Sequence, residues 1–188
     1  MIINNEFNFC PNCGTNKIKY LQNKKWFCSE CGFDLYNNVA SAVGVIFHDK
    51  DCNVLFEKRA KNPRKGFLAL PGGFCDRDET AEQAVIRECL EETGAKPNNI
   101  KYLCSFPNDY EYKDIQYKTC DLFFTALLED ESMEDLICKL KGQASEVESF
   151  CACKVSSIED VDKIPLAFKS AKNALTCWIE QFNLNKGL

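Results

Sequence analysis

Three glutamates, Glu88, Glu91 and Glu92, lie within five residues of this 188-residue chain at a spacing that could support metal chemistry. On a helix with about 100° per residue, Glu88 and Glu92 fall within about 40° of each other, with Glu91 alongside. Carboxylates held this close repel one another unless cations lie between them. Because the ligand atoms are all oxygens, the pattern favours a hard cation such as Mg²⁺, which also binds substrate phosphate oxygens.

The residues around the glutamates indicate where such a helix begins and ends. Thr80 and Gln83 have the spacing of a capping box, so we predict that the helix starts at Thr80. Gly94 suits the left-handed residue just past a helix end. The face that carries Glu88 and Glu92 otherwise holds small apolar residues, which favours packing of this face against the protein body.

The glutamates belong to a longer pattern with fixed spacing over residues 73–95. Its members are Gly73, Glu79, Arg87, Glu88, Glu91, Glu92 and Gly94. This spacing resembles the Nudix box, and the chain resembles the Nudix hydrolases. The resemblance implies cleavage of nucleoside diphosphates linked to another moiety, with Mg²⁺ or Mn²⁺ as the catalytic cation.

The resemblance also implies a set of metal ligands. The backbone carbonyl of Gly72 would join Glu88 and Glu92 at the cation. A further acidic ligand usually comes from a loop before a late strand. In this chain Glu146 precedes such a strand and is the first choice, with Glu148 in reserve.

Other residues of the box receive supporting or catalytic roles by the same resemblance. Arg87 and Glu79 would form a structural ion pair that holds the loop against the helix. Glu91 would support a second cation or orient the first. A carboxylate must accept the proton of the attacking water, and the sequence leaves Glu88, Glu91 and the Glu146 loop as alternatives.

Four of the thirteen cysteines form a separate motif near the start of the chain. They are arranged as two C-x₂-C pairs: Cys10, Cys13, Cys28 and Cys31. Four thiolates complete a closed tetrahedral zinc site, which predicts a structural zinc ribbon; two disulfides or an iron–sulfur centre are the alternatives. A zinc ribbon before a Nudix domain resembles the NADH pyrophosphatase branch and its relatives.

Outside these motifs, short β-rich runs precede one amphipathic helix. We predict strands at 39–47, 53–59, 67–70, 100–106, 118–128 and 149–154, and a helix over 166–181 that Pro165 opens. This order resembles the α/β fold of the Nudix family, an α/β/α sandwich whose mixed sheet carries the box helix. We therefore divide the chain into a ribbon at 1–36 and a Nudix domain at 37–188.

Substrate contacts are less constrained by the sequence. Arg59 is a candidate for phosphate binding. Phe106, Tyr110 and Tyr112 could form an aromatic wall for a nucleobase. The tryptophan-containing signature of NADH pyrophosphatases is missing after the box. We therefore predict hydrolysis of several adenine-containing diphosphates, with ADP-ribose or a dinucleotide such as NADH among the better substrates.

Composition restricts the remaining classes. A net charge of −5 and a pI near 5.1 argue against a nucleic-acid partner, and no apolar run is long enough for a membrane span. Many irregularly spaced cysteines without an export signal predict a reducing cytoplasm. We therefore expect a small nucleotide as the binding partner, and the protein could also form a homodimer. The alternatives are a nucleoside triphosphate pyrophosphohydrolase and a nucleic-acid-binding Nudix regulator.

Overall fold

The computed structural model describes residues 7–112, 115–128 and 132–186. Among these residues, six strands form one sheet in the order β6-β5-β4-β8-β7, with β9 also pairing with β5. The strands are β4 (Ala40–His48), β5 (Asn53–Arg59), β6 (Leu68–Ala69), β7 (Lys101–Tyr112), β8 (Ile115–Leu127) and β9 (Val147–Lys154). Because β4 and β8 are parallel and the other pairs are antiparallel, the sheet is mixed.

Helices cover both faces of this sheet. They are α1 (Ala81–Thr93), α2 (Met133–Lys139), α3 (Ile158–Lys163) and α4 (Lys169–Lys186). Side chains alternate along β5, so that Val54 and Phe56 join the buried cluster with α3 and α4, whereas Leu55 joins the cluster with α1 and α2. The predicted α/β sandwich is confirmed. Within the described ranges, none of the helices has the length and apolar character of a membrane span.

Helix α1 begins and ends as its sequence predicts. The Thr80 hydroxyl accepts a hydrogen bond from the Gln83 backbone N–H, and the Gln83 side chain accepts one from the Thr80 N–H. Gly94 ends the helix in the left-handed conformation and donates its N–H to the Leu90 carbonyl. Both caps satisfy backbone groups that a helix end leaves unpaired, which fixes the register of the glutamates on this helix.

A second, smaller antiparallel sheet contains the first three strands. These are β1 (Ile18–Leu21), β2 (Lys25–Cys28) and β3 (Asp34–Tyr36), in the order β1-β2-β3. Its small core consists of Cys10, Ile18, Trp26 and Cys28, all buried. Such a core is too small to stabilise a fold by itself, so this segment needs a further source of stability.

The largest difference from the prediction is at the start of α4. Pro165 does not open this helix, because residues 165–167 pair with β6 instead. The Leu68 N–H donates to the Pro165 carbonyl at 2.9 Å, and the Ala167 N–H donates to the Leu68 carbonyl at 2.8 Å. The helix therefore begins at Lys169.

The strand β7 is also longer than predicted and forms a long hairpin with β8. It contains Pro107, which a strand at the edge of the sheet accommodates because the missing N–H would face away from the partner strand. The helices α2 and α3, and the strands of the small sheet, were not predicted.

Candidate active site

A cavity of about 380 Å³ lies between the box helix and the start of α4. One wall carries the carboxylates of α1, and another carries aromatic and polar side chains from β7, β8 and the residues around the start of α4. Glu88, Glu91 and Glu92 all line the cavity, as the helical spacing predicted. The structure therefore brings the three glutamates to one surface.

Arg87 braces the loop before α1. Its Nη2 and Nε atoms donate to the two carboxylate oxygens of Glu79 at 2.6 and 3.2 Å, and Nη2 also donates to the Phe74 carbonyl at 2.9 Å. Arg87 Nη1 donates to Glu88 at 2.8 Å and to Glu91 at 3.3 Å. The bidentate contact between Arg87 and Glu79 lowers the pKa of Glu79 and holds the loop against the helix as a charge-assisted pair.

Two adjacent glycines let the backbone pass close to the carboxylates. A Cβ at Gly73 would lie 2.6 Å from the Glu88 carboxylate, and a Cβ at Gly72 would lie 2.1 Å from the Val43 carbonyl oxygen. Gly72 has a φ of 145°, a conformation that side chains disfavour, and its N–H donates to Glu92 at 2.7 Å. Only glycine fits at either position without movement of the backbone or the carboxylate.

Hydrogen bonds to β4 hold the backbone on both sides of Gly72. The N–H groups of Val43 and Val45 on β4 donate to the carbonyls of Gly73 and Pro71 at 2.8 and 2.9 Å. Gly72 lies between these two residues and lines the cavity. Its carbonyl could act as a metal ligand beside Glu88 and Glu92.

The sequence analysis missed Glu57, a buried carboxylate behind Glu92. Glu57 is 2% exposed, and within the described residues its Oε2 atom has no hydrogen-bond partner. Burial and the neighbouring Glu92 charge raise its pKa well above the usual value. The sequence signal that could have identified Glu57 is its position on β5. It lies on the same side of the strand as Leu55, which faces α1, so an ionisable residue occupies a core position.

Burial also governs the ionisation of the box glutamates. It raises the pKa of Glu88, and together with the Glu88 charge it raises the pKa of Glu92 to about 8. The Glu92 side chain is 5% exposed. A buried carboxylate cluster with a carbonyl oxygen beside it is a donor set that suits a divalent cation, since the cation offsets the mutual repulsion.

Of the two acidic candidates from the loop before β9, the structure brings Glu146 into the cavity wall. Its carboxylate pairs with Lys61, and its backbone carbonyl accepts a hydrogen bond from the Ala60 N–H at 2.7 Å. Glu148 instead pairs with Lys58 at 2.7 Å, with both side chains substantially exposed. Glu146 is therefore the residue positioned to face the box helix.

The aromatic side of the cavity differs from the predicted wall. Tyr110 lines it, with its ring centroid 5.2 Å from that of Phe74 and 5.6 Å from that of Phe168. Phe106 packs against the buried cluster beneath α4 instead. The side chain of Tyr112 lies outside the described residues.

Arg59 also reaches this cavity. Its Nε donates to the Pro63 carbonyl at 2.9 Å, and its guanidinium carbon lies 5.1 Å from the centre of the Phe168 ring. These two contacts fix the side chain, so its remaining N–H groups are available to an anionic substrate. Phe168 was missed by the sequence analysis, because residue 168 was assigned to the interior of a helix.

The four motif cysteines converge in the small sheet. Their Sγ atoms all lie within 4.8 Å of one another, with 3.7 Å between Cys10 and Cys31 and 3.8 Å between Cys13 and Cys28. A regular tetrahedron with metal–sulfur bonds of about 2.3 Å has edges of about 3.8 Å. The side-chain amide of Asn12 lowers the pKa of the Cys31 thiol and so favours the thiolate. The cluster is compatible with a structural zinc site.

Comparison with known proteins agrees with this geometry. The family model of the NUDIX domain matches residues 39–176. This range covers most of the chain and includes the whole box. The chain belongs to the Nudix family.

Two relatives within the family are named for ADP-ribose and for NAD-capped RNA. The ADP-ribose pyrophosphatase of Methanocaldococcus jannaschii is 51% identical over 65 residues, which cover 35% of this chain and 38% of that protein. The NAD-capped RNA hydrolase NudC of Haemophilus influenzae is 29% identical over 128 residues, covering 61% of this chain and 48% of the relative. The matched segments thus span less than half the length of either relative.

A solved structure shows a similar domain with a bound ligand. The NUDIX domain of Shewanella oneidensis NrtR complexed with ADP ribose is 25% identical, with a TM-score of 0.57, and the match covers 79% of this chain and 89% of that one. The two chains therefore share the same fold.

The raised pKa of Glu92 makes the stability of the metal-free protein depend on pH. Between the usual value of 4.5 and about 8, the folded state binds more protons at Glu92 than the unfolded state does. The free energy of unfolding therefore falls as pH rises through this window. Urea unfolding in Mg²⁺-free buffer from pH 5 to 9 should show this fall, and Glu92→Gln should reduce its slope.

Glu91→Gln is the matched control, because Glu91 is half exposed on the same helix. We expect it to keep the wild-type slope. Parallel pH profiles for the wild type and Glu92→Gln would contradict the assignment of the slope to Glu92.

Proposed function

We propose that this protein is a metal-dependent pyrophosphohydrolase that cleaves a nucleoside diphosphate linked to another moiety. The observation that carries the proposal is that Glu88, Glu92 and Gly72 line one cavity that also has an aromatic wall, with the Gly72 N–H bonded to Glu92. Such a cavity can hold a diphosphate against the acidic wall and a nucleobase against the aromatic one.

Nudix hydrolases use divalent cations such as Mg²⁺ or Mn²⁺, and the residues here fit such a cation. The Gly72 carbonyl, Glu88 and Glu92 would bind it, with Glu146 as a further ligand and Glu91 in support. The buried Glu57 carboxyl group lies behind them, next to Glu92. When bound, the cation neutralises charge on the diphosphate oxygens and polarises the phosphorus toward attack.

The chain's own residues would perform the remaining steps. Arg59, fixed by Pro63 and Phe168, would contact the phosphate oxygens. Arg87 and Glu79 would hold the loop so that Gly72 keeps its position. Water attacks phosphorus in line with the leaving group, and a carboxylate must take its proton. Glu88, Glu91 and Glu146 all line the cavity, and each is a candidate for this role.

Several observations support adenine-containing substrates such as ADP-ribose or NADH. Tyr110, Phe74 and Phe168 provide rings on which a base can stack. Relatives of this chain are named for ADP-ribose and for NAD-capped RNA, and a similar Nudix domain binds ADP ribose. All of these ligands share an adenosine diphosphate, which the two walls of the cavity would bind together.

We further propose that Cys10, Cys13, Cys28 and Cys31 hold a structural zinc ion in a ribbon at 1–36, ahead of a catalytic domain at 37–188. A closed set of four sulfurs leaves no position for substrate, and the small core of this segment needs the stability that a metal supplies. The thirteen cysteines form no disulfide, which supports a reducing compartment such as the cytoplasm.

Conversion of a metal-binding carboxylate to an amide should abolish most of the activity. We expect Glu88→Gln and Glu92→Gln each to lower kcat by at least about 10²-fold at saturating Mg²⁺, because each removes a charged ligand. Glu82→Gln, an exposed residue in the first turn of the same helix, is the control and should keep kcat near the wild-type value. Near-wild-type turnover in both test variants would rule out the metal assignment.

The substrate proposal is tested by comparing kcat/KM across a panel. The panel contains ADP-ribose, NADH, diadenosine polyphosphates and nucleoside triphosphates, assayed with Mg²⁺ and with Mn²⁺. We expect linked adenosine diphosphates to be the better substrates, since they engage both walls. A preference of about tenfold or more for triphosphates would replace this proposal with a nucleoside triphosphate pyrophosphohydrolase.

The zinc proposal predicts one equivalent of tightly bound zinc in the purified protein. Elemental analysis should find it, and Cys28→Ser should lose it and destabilise the small sheet, because Cys28 is both a ligand and a core residue. Cys138→Ser, at an exposed cysteine on α2, should retain the zinc. Iron with visible absorbance would point to an iron–sulfur centre instead.

A further inference from the structure

A further buried carboxylate lies on the aromatic side of the cavity. Asp121 on β8 is 8% exposed, and it lines the cavity. Its Oδ1 accepts a hydrogen bond from the Thr119 hydroxyl at 2.6 Å, and its Oδ2 accepts one from the Ser170 hydroxyl at 2.6 Å. Because each carboxylate oxygen has two lone pairs, acceptor capacity remains after both bonds.

The sheet topology fixes where this carboxylate lies relative to the acidic wall. Segment 71–73 runs beside one edge of β4, and β8 lies along the other edge, where Asp121 pairs with Ala42. Neighbouring strands are about 4.8 Å apart, so Asp121 is about 10 Å across the sheet from Gly72. When the diphosphate of a substrate lies at the box, the edge of its nucleobase lies at a similar distance from the diphosphate.

The surroundings of Asp121 suit a flat ring. Ser170 belongs to the first turn of α4, two residues after Phe168, and Ala42 forms a bridge to Phe74. Asn108 lies opposite Thr119 on the neighbouring strand and also lines the cavity. Its amide can donate to a ring nitrogen and accept from an amino group, as asparagine does at adenine.

The same contacts could serve structure alone, because they tie β8 to the first turn of α4. A carboxylate is favourable at a helix N-terminus. However, each oxygen of Asp121 accepts only one of these hydrogen bonds and keeps a lone pair for a further donor. Since Asp121 faces the cavity, a bound ligand can supply that donor.

We propose that Asp121 is a specificity-determining residue whose carboxylate accepts a hydrogen bond from the exocyclic amino group of the substrate adenine. This inference rests on the proposed function, since it assigns the base-binding end of the same cavity. Thr119 is a positioning residue, because its hydroxyl donates to Oδ1, whereas Ser170 ties Oδ2 to the first turn of α4. The amino group of adenine is a donor, so a base that presents no donor at that edge loses the interaction.

The test compares ADP-ribose with an analogue in which unsubstituted purine replaces adenine. For the wild type we expect kcat/KM to be at least about tenfold lower for the analogue. In Asp121→Ala this ratio should fall close to one, because the partner of the amino group is gone. Asp121→Asn keeps the shape of the side chain and one acceptor oxygen, so it should retain part of the discrimination between the two substrates. It replaces the alanine variant in this test if that variant folds poorly.

Ser170→Ala is the matched control for a purely structural role. It removes the tie to α4 but keeps the carboxylate, so most of the discrimination should remain. Equal losses on both substrates in Asp121→Ala, with the ratio unchanged, would overturn the inference. So would a wild type that does not distinguish the two substrates.

A third ligand separates the base from the sugar. If Asp121→Ala changes the preference for ADP-ribose over 2′-deoxy-ADP-ribose and leaves the purine ratio unchanged, Asp121 contacts the ribose and the inference fails.

Calorimetric binding of all three ligands gives the same ratios without turnover. Binding with discrimination but no hydrolysis would contradict the proposed function alone, whereas hydrolysis without discrimination would contradict the Asp121 assignment alone. If ADP-ribose neither binds nor turns over, both are overturned.

Discussion

The structure depends on the close approach of backbone to carboxylate at Gly72 and Gly73. Here one chain segment fits between β4 and α1, and a single extra carbon at either glycine would collide with the Val43 carbonyl or the Glu88 carboxylate. The approach sets the distance between sheet and helix, and it brings a backbone carbonyl to the same place as two acidic side chains. The Arg87–Glu79 pair then holds the following loop, so packing alone assembles the residues that we propose as metal ligands.

This arrangement concentrates carboxyl groups where the protein has little solvent. Glu57, Glu88 and Glu92 are shielded by the sheet and by α1, and the neighbouring Arg87 is already committed to Glu79, Glu88 and Glu91. Ionisation of such a cluster opposes folding, and the two apolar clusters on either face of the sheet must offset its cost. Under the proposed function, the same carboxylates would bind the divalent cation.

Local rules predicted those parts of the molecule that local interactions determine. The limits of α1 follow from the Thr80 capping box and Gly94, the strand 53–59 follows from its β-rich run, and the cysteine cluster follows from spacing. The start of α4 could not be predicted in this way, because Pro165 is drawn into pairing with Leu68, which is distant in sequence. Glu57, Phe168 and Asp121 were missed for a related reason: each acquires its role only from a neighbour on another element.

The cavity is assembled from segments that are far apart along the chain. Its lining begins at Ala42 on β4 and ends at Ala171 in the first turns of α4, with the box helix between them. Proteins emerge from the ribosome at roughly 5–20 residues per second, so the box helix is available several seconds before the residues that close the aromatic side. Because Phe168, Ser170 and Ala171 around the start of α4 also line the cavity, a nascent chain could complete it only after this segment has left the exit tunnel.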